Sequence, residues 1–313
     1  VPITRASVPA PSVPPHDVAV LMTVYNGMPY LEQSIESVLN QTLQSFRIHI
    51  VNDGSTDGTA AFLDGLEDPR IHILHQENLG TAEAANHGLQ YCDAEFTARM
   101  DADDISLPTR LEKQLDFLRS HPNVGLVGTQ VALMGDSRIG MGLHLPLTHD
   151  EIFPAMMNGH HGLAHSAIMF RTAWLKQLGG YWDRHLIDDW DMMLRMGEVA
   201  ELANLDELLH HYRVHRGSLN GKNMRRMRGH IRYACECARR RQDDLEPITH
   251  EQFELERPLW KRAKAEVLAY SLNQYRVASA EILGGRPLTG DRRRAVEAVC
   301  YPPLTIRRLK RNV

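Results

Sequence analysis

Three carboxylates crowd into four residues of this chain, in the stretch Met100-Asp101-Ala102-Asp103-Asp104. Carboxylates this close repel each other, so the cluster is stable where a hard cation or a helix N-terminus absorbs the charge. Oxygen ligands suit Mg²⁺ or Mn²⁺, and these ions commonly bridge to the phosphates of a substrate. Two acids at positions i and i+2 of a bent segment can reach one ion and one hydroxyl of a sugar or ribose. The cluster therefore fits a nucleotide-sugar site; the alternative is an N-cap followed by a solvated acidic turn.

The segments that must position this cluster alternate between strands and helices. An apolar run typical of a buried strand occupies residues 18–22, and further strands are expected at 46–51, 71–74 and 95–100. Helical patterns occupy residues 29–40 and 80–90, and a further helix is expected from Pro108. This alternation predicts an α/β fold with a mostly parallel sheet and right-handed crossovers.

Polar residues follow three of these strands at the point where each one ends. Tyr25 follows the first strand, Asp53 the second and Asp101 the fourth. Ligands of such sheets bind beyond the C-terminal ends of the strands, so the three positions are expected to converge on one rim. Asp104 has a second interpretation, as a cap for the helix that follows at Pro108.

Beyond residue 120 the pattern is less regular. It predicts a strand at 124–134, a loop and strand at 159–170, a helix at 189–197, and a basic helical region from Met224. Residues 1–16, rich in Pro, Ser and Ala, are expected to form a flexible leader. No run of about 18 apolar residues occurs, so no transmembrane helix is expected.

The charge distribution and the cysteine content limit which binding partners and which cellular compartment are expected. Residues 222–313 hold 21 Lys and Arg against 11 Asp and Glu, whereas residues 1–221 hold 14 against 28. Basic clusters favour an anionic surface, although ordinary solvated helix faces would have the same composition. Nucleic acid is not expected, because no aromatic interleaving or binding motif accompanies the charge. Four cysteines without a CxxC pair predict neither a zinc site nor a disulfide framework, and favour a reducing cytoplasm.

Eight short motifs, in order over residues 17–220, resemble those of glycosyltransferase family 2, and together they are far more specific than any one alone. They are VYNG at 24–27, SVLNQT at 37–42, NDGSTDGT at 52–59, ENLG at 77–80, MDADD at 100–104, GGY at 179–181, DDWDMMLR at 188–195 and YRVHRGS at 212–218. The resemblance implies a GT-A fold, with a nucleotide-binding half at 17–120 and an acceptor half at 121–220. It also implies inverting transfer of a sugar from a nucleotide diphosphate sugar to a glycan or lipid-linked acceptor, in bacterial surface polysaccharide or glycoconjugate synthesis.

The resemblance also implies which residues hold the ion. Asp103 is the expected direct ligand of Mn²⁺ or Mg²⁺, and Asp101 is expected nearer the ribose and the metal-bound waters, with Ala102 between them. His215 lies in the segment that resembles the closing loop of the family, as a further candidate ligand. His160, His161 and His165 form a separate group, in which no nearby Cys completes a zinc site.

A nucleotide-binding region is implied at Thr23, Tyr25 and Asp53. The Asp53 carboxylate is expected to accept the uracil N–H of a UDP donor, and the Tyr25 ring is placed to stack on the base. The alternative for Asp53 is a turn carboxylate satisfied by the amides of Gly54 and Ser55.

Inversion in one displacement needs a base that takes a proton from the acceptor hydroxyl. Asp189 matches the position of that base in the family, and its neighbours Asp188 and Asp191 are expected to raise its pKa by repulsion. The alternative is that all three acids only complement the N-terminus of a helix. Trp190 is expected either on a sugar face or in the core. Further candidate contacts to donor or acceptor are Asp188, Trp190, His165 and Arg213.

Two positions depart from the family pattern. Ala85 stands where many relatives carry an arginine before Asn86, which removes one phosphate or base contact. Asp188 stands where the family often has glutamate.

Competing functions fit the residues less well. A nucleotidyltransferase would need a glycine-rich loop with a basic residue after the first strand, and residues 24–28 provide none. A non-catalytic binding module has no need of a base at Asp189. A dehydrogenase is disfavoured because no G-x-G-x-x-G follows a strand. Residues 221–313 are expected to dock on the inner face of the membrane or to form a homodimer.

Overall fold

The computed structural model describes residues 16–136, 138–182, 187–215, 224–256 and 282–283. The expected leader up to residue 15 and the basic clusters at 292–294 and 307–311 lie outside these ranges. The proposed division into a domain at 17–220 and a region at 221–313 stays a prediction.

The first half of the chain alternates strands and helices, as predicted. The strands are β1 (Val18–Val24), β2 (Phe46–Asp53), β3 (Ile71–Gln76), β4 (Phe96–Asp101) and β5 (Ile105–Ser106). The helices are α1 (Leu31–Leu39), α2 (Thr59–Asp64), α3 (Thr81–Tyr91) and α4 (Arg110–Ser120). Helix α4 begins two residues after Pro108, a difference within the usual spread of helix ends.

The second half carries elements that the sequence pattern did not predict. Its strands are β6 (Val124–Met134), β7 (Ile139–Leu143), β8 (Met169–Arg171) and β9 (Glu201–Arg213). Its helices are α5 (His149–Met157), α6 (Thr172–Gln177), α7 (Asp188–Val199), α8 (Met224–Gln242) and α9 (His250–Glu256). The predicted strand at 124–134 and the helices at 189–197 and from Met224 are confirmed, whereas α5, α6 and most of β9 were not expected.

Within the described ranges the strands form one mixed sheet of nine, in the order β3-β2-β1-β4-β8-β6-β9-β5, with β7 paired to β6. The run β3-β2-β1-β4 is parallel, as predicted. Strand β8 is antiparallel to both β4 and β6, and β9 is parallel to β6. The C-terminal ends of β1, β2 and β4 therefore meet at one edge, with Thr23 beside Asp101.

Alternation along β4 divides its side chains between the two faces of the sheet. Phe96, Ala98 and Met100 pack into one apolar core with residues of α1 and α4. The intervening residues Arg99 and Asp101 face the side covered by α3 and α7. A polar stripe thus runs up a buried strand to its C-terminal end.

Helix α8 belongs to the core on that second side. Ile231, Ala234 and Ala238 are buried in the same apolar cluster as residues of α7. Arg241 donates two hydrogen bonds to the Glu198 carboxylate at 2.8 and 2.7 Å, which ties α8 to α7. Among the helices in the described ranges, none is long and apolar enough to cross a membrane.

Candidate active site

Asp53 lies at the end of β2, buried under the loop that leads into α3. Its Oδ1 accepts hydrogen bonds from the Leu79 amide and Gln76 Nε2, both at 2.8 Å, and its Oδ2 accepts one from the Gly80 amide at 3.0 Å. Gly80 has a φ of 94°, a conformation that glycine adopts without strain. The partners are thus the amides of the α3 loop, not those of Gly54 and Ser55 as the alternative supposed. The carboxylate holds this loop against the rim.

Thr23 and Tyr25 flank the end of β1 on the same rim. Tyr25 is 51% exposed, so its ring is accessible to a ligand. Thr23 Oγ1 accepts a hydrogen bond from Arg99 Nη2 at 3.1 Å. The structure therefore brings together the three positions expected to bind the nucleotide base.

Arg99 is a buried cation that precedes the acidic rim, that is, the carboxylates of Asp101, Asp103 and Asp104 at the end of β4. The sequence motifs did not single it out. It is 4% exposed, and its Nη1 donates to the Leu21 carbonyl at 2.8 Å. Its Nη2 lies 3.3 Å from Asp101 Oδ1. An arginine at an inward position of a buried strand is the sequence signal that would have found it, because charged residues are almost never fully buried unless paired.

Asp101 has a strongly raised pKa. Desolvation raises its pKa to about 7, and repulsion from Asp104, Asp103 and Asp188 adds to the effect, while Arg99 opposes it. The Asp101 side chain is still 36% exposed, so the carboxylate remains accessible to a ligand.

Asp103 meets the C-terminal end of β9. His215 Nε2 lies 3.0 Å from Asp103 Oδ2, although 112 residues separate the two in sequence. Arg213 Nε donates to the Asp103 carbonyl at 2.6 Å, and its guanidinium lies 4.4 Å above the Tyr30 ring. The structure therefore joins the two predicted metal ligands Asp103 and His215, and places Arg213 beside them.

The expectation that Asp104 caps the helix at Pro108 is wrong. Its carboxylate is buried and accepts hydrogen bonds from His210 Nε2 at 2.9 Å and from the Arg213 amide at 2.8 Å. Its pKa is raised to about 8, mainly by desolvation and secondly by repulsion from Asp103. Asp104 turns towards β9 because two donors there replace the water that it loses.

A buried polar network continues from Asp104. Arg110 Nη1 lies 3.3 Å from His210 Nδ1 and donates to the Ser166 carbonyl at 2.8 Å. Since Arg110 only donates, His210 Nδ1 must accept, which leaves Nε2–H to donate to Asp104. Burial holds the pKa of His210 well below its usual range. Through Asp104, these residues fix the acidic turn, residues 101–104, to β9 and α4. No short sequence motif pointed to them.

Asp188 and Asp189 begin helix α7, close enough to Asp101 of β4 for their charges to interact. Asp188 Oδ1 accepts from Thr81 Oγ1 at 3.2 Å, and Asp189 Oδ1 accepts from the Trp190 amide at 2.7 Å. Desolvation raises the pKa of Asp189 to about 7, with Asp188 the next contribution. A carboxyl with that pKa suits proton abstraction near neutral pH.

Asp191 is not among the main groups that raise the pKa of Asp189, contrary to the expectation from the sequence. It is fully buried, and its Oδ2 accepts from Arg195 Nε at 2.8 Å. Arg195 also donates to the carbonyls of Leu178 and Gly180, both at 2.7 Å. Asp191 therefore anchors α7 to the 178–180 loop, because its charge is neutralised by the arginine one turn along.

The remaining candidates occupy the interior. Trp190 is 2% exposed and packs in the core, with its ring 5.2 Å from that of His161. Of the two expectations for Trp190, the structure shows the core position and not a sugar face. His165 Nε2 lies 3.2 Å from Tyr181 Oη, and burial together with Arg99 holds the pKa of His165 well below its usual range. Ala85 is buried on the core face of α3.

Comparison with known proteins gives matches along most of the chain. The profile of "Glycosyl transferase family 2" matches residues 19–179. An uncharacterized glycosyltransferase of Haemophilus influenzae is 30% identical over 218 residues, which are 63% of this chain and 65% of that protein. Amylovoran biosynthesis glycosyltransferase AmsE of Erwinia amylovora is 34% identical over 200 residues, which are 61% of this chain and 74% of that protein. The chain thus spans slightly less than two thirds of the first relative and about three quarters of the second.

Solved structures share the fold at low sequence identity. Mannosyltransferase PcManGT from Pyrobaculum calidifontis, in complex with GDP-Man and Mn²⁺, has a TM-score of 0.56 at 17% identity over 93% of this chain and 82% of that one. S. aureus TarS 1-349, in complex with UDP-GlcNAc, has a TM-score of 0.54 at 15% identity over 85% of this chain and 83% of that one. At these identities the likeness concerns the fold alone.

Proposed function

Because the chain belongs to glycosyltransferase family 2 and has the GT-A fold, we propose that it is a metal-dependent, inverting hexosyltransferase. It moves a sugar from a nucleotide diphosphate sugar to a hydroxyl of a glycan or lipid-linked acceptor. The observation that carries this proposal is the proximity of two features. In the acidic turn at residues 101–104, Asp103 approaches His215, and Asp189, which begins α7 and has a pKa raised to about 7, lies near enough to Asp101 for that carboxylate to contribute to the shift.

The donor is a UDP-sugar in this proposal. Asp53 is anchored at the rim and uses three hydrogen bonds, which leaves an acceptor position on the carboxylate for the uracil N–H. Tyr25 offers an exposed ring for stacking on the base. TarS binds UDP-GlcNAc and PcManGT binds GDP-Man, so related folds accept both nucleotides.

The residues at the acidic turn fit a divalent cation. Asp103 and His215 approach to 3.0 Å, and Asp101 adds a partly exposed carboxylate at the same strand end. Oxygen donors with one imidazole suit Mn²⁺, and oxygen donors alone suit Mg²⁺. Asp103, Asp101 and His215 would hold the ion, which when bound neutralises charge on the departing diphosphate.

The chain itself supplies the base and its orientation. Asp189 takes the proton of the acceptor hydroxyl while that oxygen bonds to the anomeric carbon and the bond to the diphosphate breaks. The Trp190 amide fixes Oδ1 of Asp189, and the proposal assigns the proton to the other carboxylate oxygen. Attack from the side opposite the leaving group inverts the anomeric centre.

The proposed setting is the synthesis of a bacterial surface polysaccharide or glycoconjugate at the inner face of the membrane. The name of AmsE, amylovoran biosynthesis glycosyltransferase, supports it. Region 221–313 is proposed either to dock on the membrane or to form a homodimer. In the described part of this region, Arg240 and Arg241 already pair with Glu236 and Glu198, so the proposal assigns the membrane-binding charge to the later clusters at 292–294 and 307–311. Deleting residues 287–313 and pelleting with anionic liposomes separates the two, since unchanged pelleting contradicts membrane docking.

Donor turnover tests the proposed function without knowledge of the acceptor. Purified protein is incubated with UDP-, GDP- and dTDP-sugars and Mn²⁺, with a membrane extract as the source of acceptor, and nucleoside diphosphate release is measured. Release from one donor class, with a loss of about 10²–10⁴-fold in Asp189→Asn, is the expected result. Release that persists unchanged in Asp189→Asn contradicts the assignment of the base.

A further inference from the structure

A second group of ionisable residues lies away from the acidic rim, on the α3 side of the parallel strands. It consists of His16 just before β1, His49 in β2 and Asp93 just after α3, with His72 of β3 next to His49. None of these residues takes part in the proposed transfer reaction. His16 and His49 are 6% and 2% exposed, so the group is buried on the protein side.

The ligand atoms of this group converge. One ligand atom each from His16, His49 and Asp93 lie within 4.8 Å of one another. His16 Nε2 is 3.1 Å from Asp93 Oδ1. Bonds of about 2.0–2.1 Å place the donor atoms of a tetrahedral Zn²⁺ site roughly 3.4 Å apart, so small side-chain rotations close the set.

Within the part of the chain that the structure describes, two buried nitrogen atoms of the group have no hydrogen-bond partner. They are His16 Nε2, whose approach to Asp93 lacks hydrogen-bond geometry, and His49 Nε2. A buried polar atom without a partner is costly, and two beside one carboxylate call for a ligand. Both nitrogen atoms belong to the residues whose ligand atoms converge.

The contact between His49 and His72 fixes how His49 would bind. Their Nδ1 atoms are 3.1 Å apart, so one donates and the other accepts. When His49 Nδ1–H donates to His72, the His49 Nε2 lone pair points away from that contact and is free for a metal. This is the usual arrangement of a ligating histidine, whose second nitrogen donates to a neighbouring group.

We infer that His16, His49 and Asp93 form a second metal site of the chain, which binds Zn²⁺ or a similar divalent transition metal with His72 orienting one ligand. Two imidazoles and one carboxylate are a donor set that Zn²⁺ accepts, with water as the fourth ligand. The Asp93 side chain is 57% exposed, which provides the route for the ion and the place for that water. Burial lowers the pKa of His16 and lowers that of His49 to about 4, which favours the neutral form of imidazole that binds metal ions.

Co²⁺ is the probe for this site, because a tetrahedral site gives it a strong visible absorption that an octahedral site does not. The 313-residue chain, without a histidine tag, is stripped with chelator and titrated with Co²⁺, and the bound Co²⁺ is then displaced with Zn²⁺. The expected result is one tetrahedral Co²⁺ per chain, displaced by one equivalent of Zn²⁺. Zn²⁺ at about 100 times its Kd should also raise the unfolding midpoint by roughly 5 °C.

Variants separate this site from the acidic rim. Asp93→Asn removes an exposed ligand and is expected to weaken Co²⁺ binding at least tenfold with the fold intact, as is His16→Gln. His72→Asn is expected to cost about 10–100-fold through loss of the orienting contact. The matched control is His75→Gln, since His75 Nε2 and Asp64 Oδ1 form a surface pair at the same 3.1 Å, and this change should have no effect.

Two results overturn the inference. One is the absence of a tetrahedral spectrum from wild-type protein. The other is a spectrum that survives unchanged in both Asp93→Asn and His16→Gln. Asp103→Asn, which alters the proposed active site, should leave the Co²⁺ spectrum intact, so a failure of the proposed function and a failure of this site give different results.

Discussion

The pKa of Asp189 sets a specific expectation for the pH dependence of activity. A base works only when it is deprotonated, so a raised pKa brings the loss of activity on acidification to a higher pH. The charged groups that face Asp189 are Asp188 on its own helix and Asp101 and Arg99 on β4. Burial and the two carboxylates raise the pKa, whereas Arg99 lowers it, and the net effect is a value of about 7.

The size of the effect follows from that value. With a pKa of about 7, half of the enzyme carries the active carboxylate at pH 7, and about 1% carries it at pH 5. Activity should therefore fall tenfold per pH unit below about pH 6 and level off above pH 8. An aspartate with the usual pKa of 3.8 would remain fully active at pH 5.

The assay is kcat/KM for nucleoside diphosphate release between pH 5 and pH 9, in buffers that do not bind the metal. Asp188→Asn serves as the diagnostic variant, because removing the neighbouring charge should move the acid limb to lower pH by roughly half a pH unit or more. A profile that stays flat down to pH 5, or an acid limb that does not move in Asp188→Asn, would refute the assignment of Asp189 as the titrating base.

Three further predictions concern binding and stability. Arg99→Met should lower the free energy of unfolding by about 1–3 kcal/mol in urea titrations, because it removes a buried guanidinium that donates to the Leu21 carbonyl and to Thr23 Oγ1. Lys113→Met at the exposed pair with Glu207 should cost less than about 1 kcal/mol, and equal effects would contradict the role of Arg99. Asp53→Asn should cost about 1–3 kcal/mol through the unpaired loop amides and weaken UDP binding at least tenfold by calorimetry, so unchanged binding would remove Asp53 from the base site. Trp190→Ala should cost about 3–5 kcal/mol in the same urea titrations, and a cost below about 1 kcal/mol would contradict its core position.

The first half of the fold was predictable from the sequence because each element there is regular and local. Strand β1 is a nearly continuous apolar run, β2 and β4 are short strand-like segments in which apolar residues recur, and α1 has clear helical spacing. The second half was not, since β9 reads ELANLDELLHHYR and has no simple alternation. That strand is held by its long pairing with β6, a tertiary contact that no local pattern encodes.

The candidate active site also has a part that the sequence predicted and a part that it did not. The strand pattern predicted that Tyr25, Asp53 and Asp101 lie on one rim, and the structure places them at the C-terminal ends of β1, β2 and β4. The pattern did not reveal Arg99 or the network of Arg110, His210 and Asp104, whose members come from three separate elements. Such buried partners are set by packing, so only their unusual charge inside apolar segments hints at them in the sequence.

Calorimetric titration of nucleoside diphosphates into wild-type protein and Asp103→Asn, each with and without Mn²⁺, tests the central claim most directly. The account predicts that UDP binds wild-type protein more tightly than GDP or dTDP, that the binding depends on Mn²⁺, and that the Mn²⁺-dependent part is lost in Asp103→Asn. Binding of no diphosphate by the folded wild-type protein, or UDP binding that is the same with and without Mn²⁺ in both proteins, would contradict it.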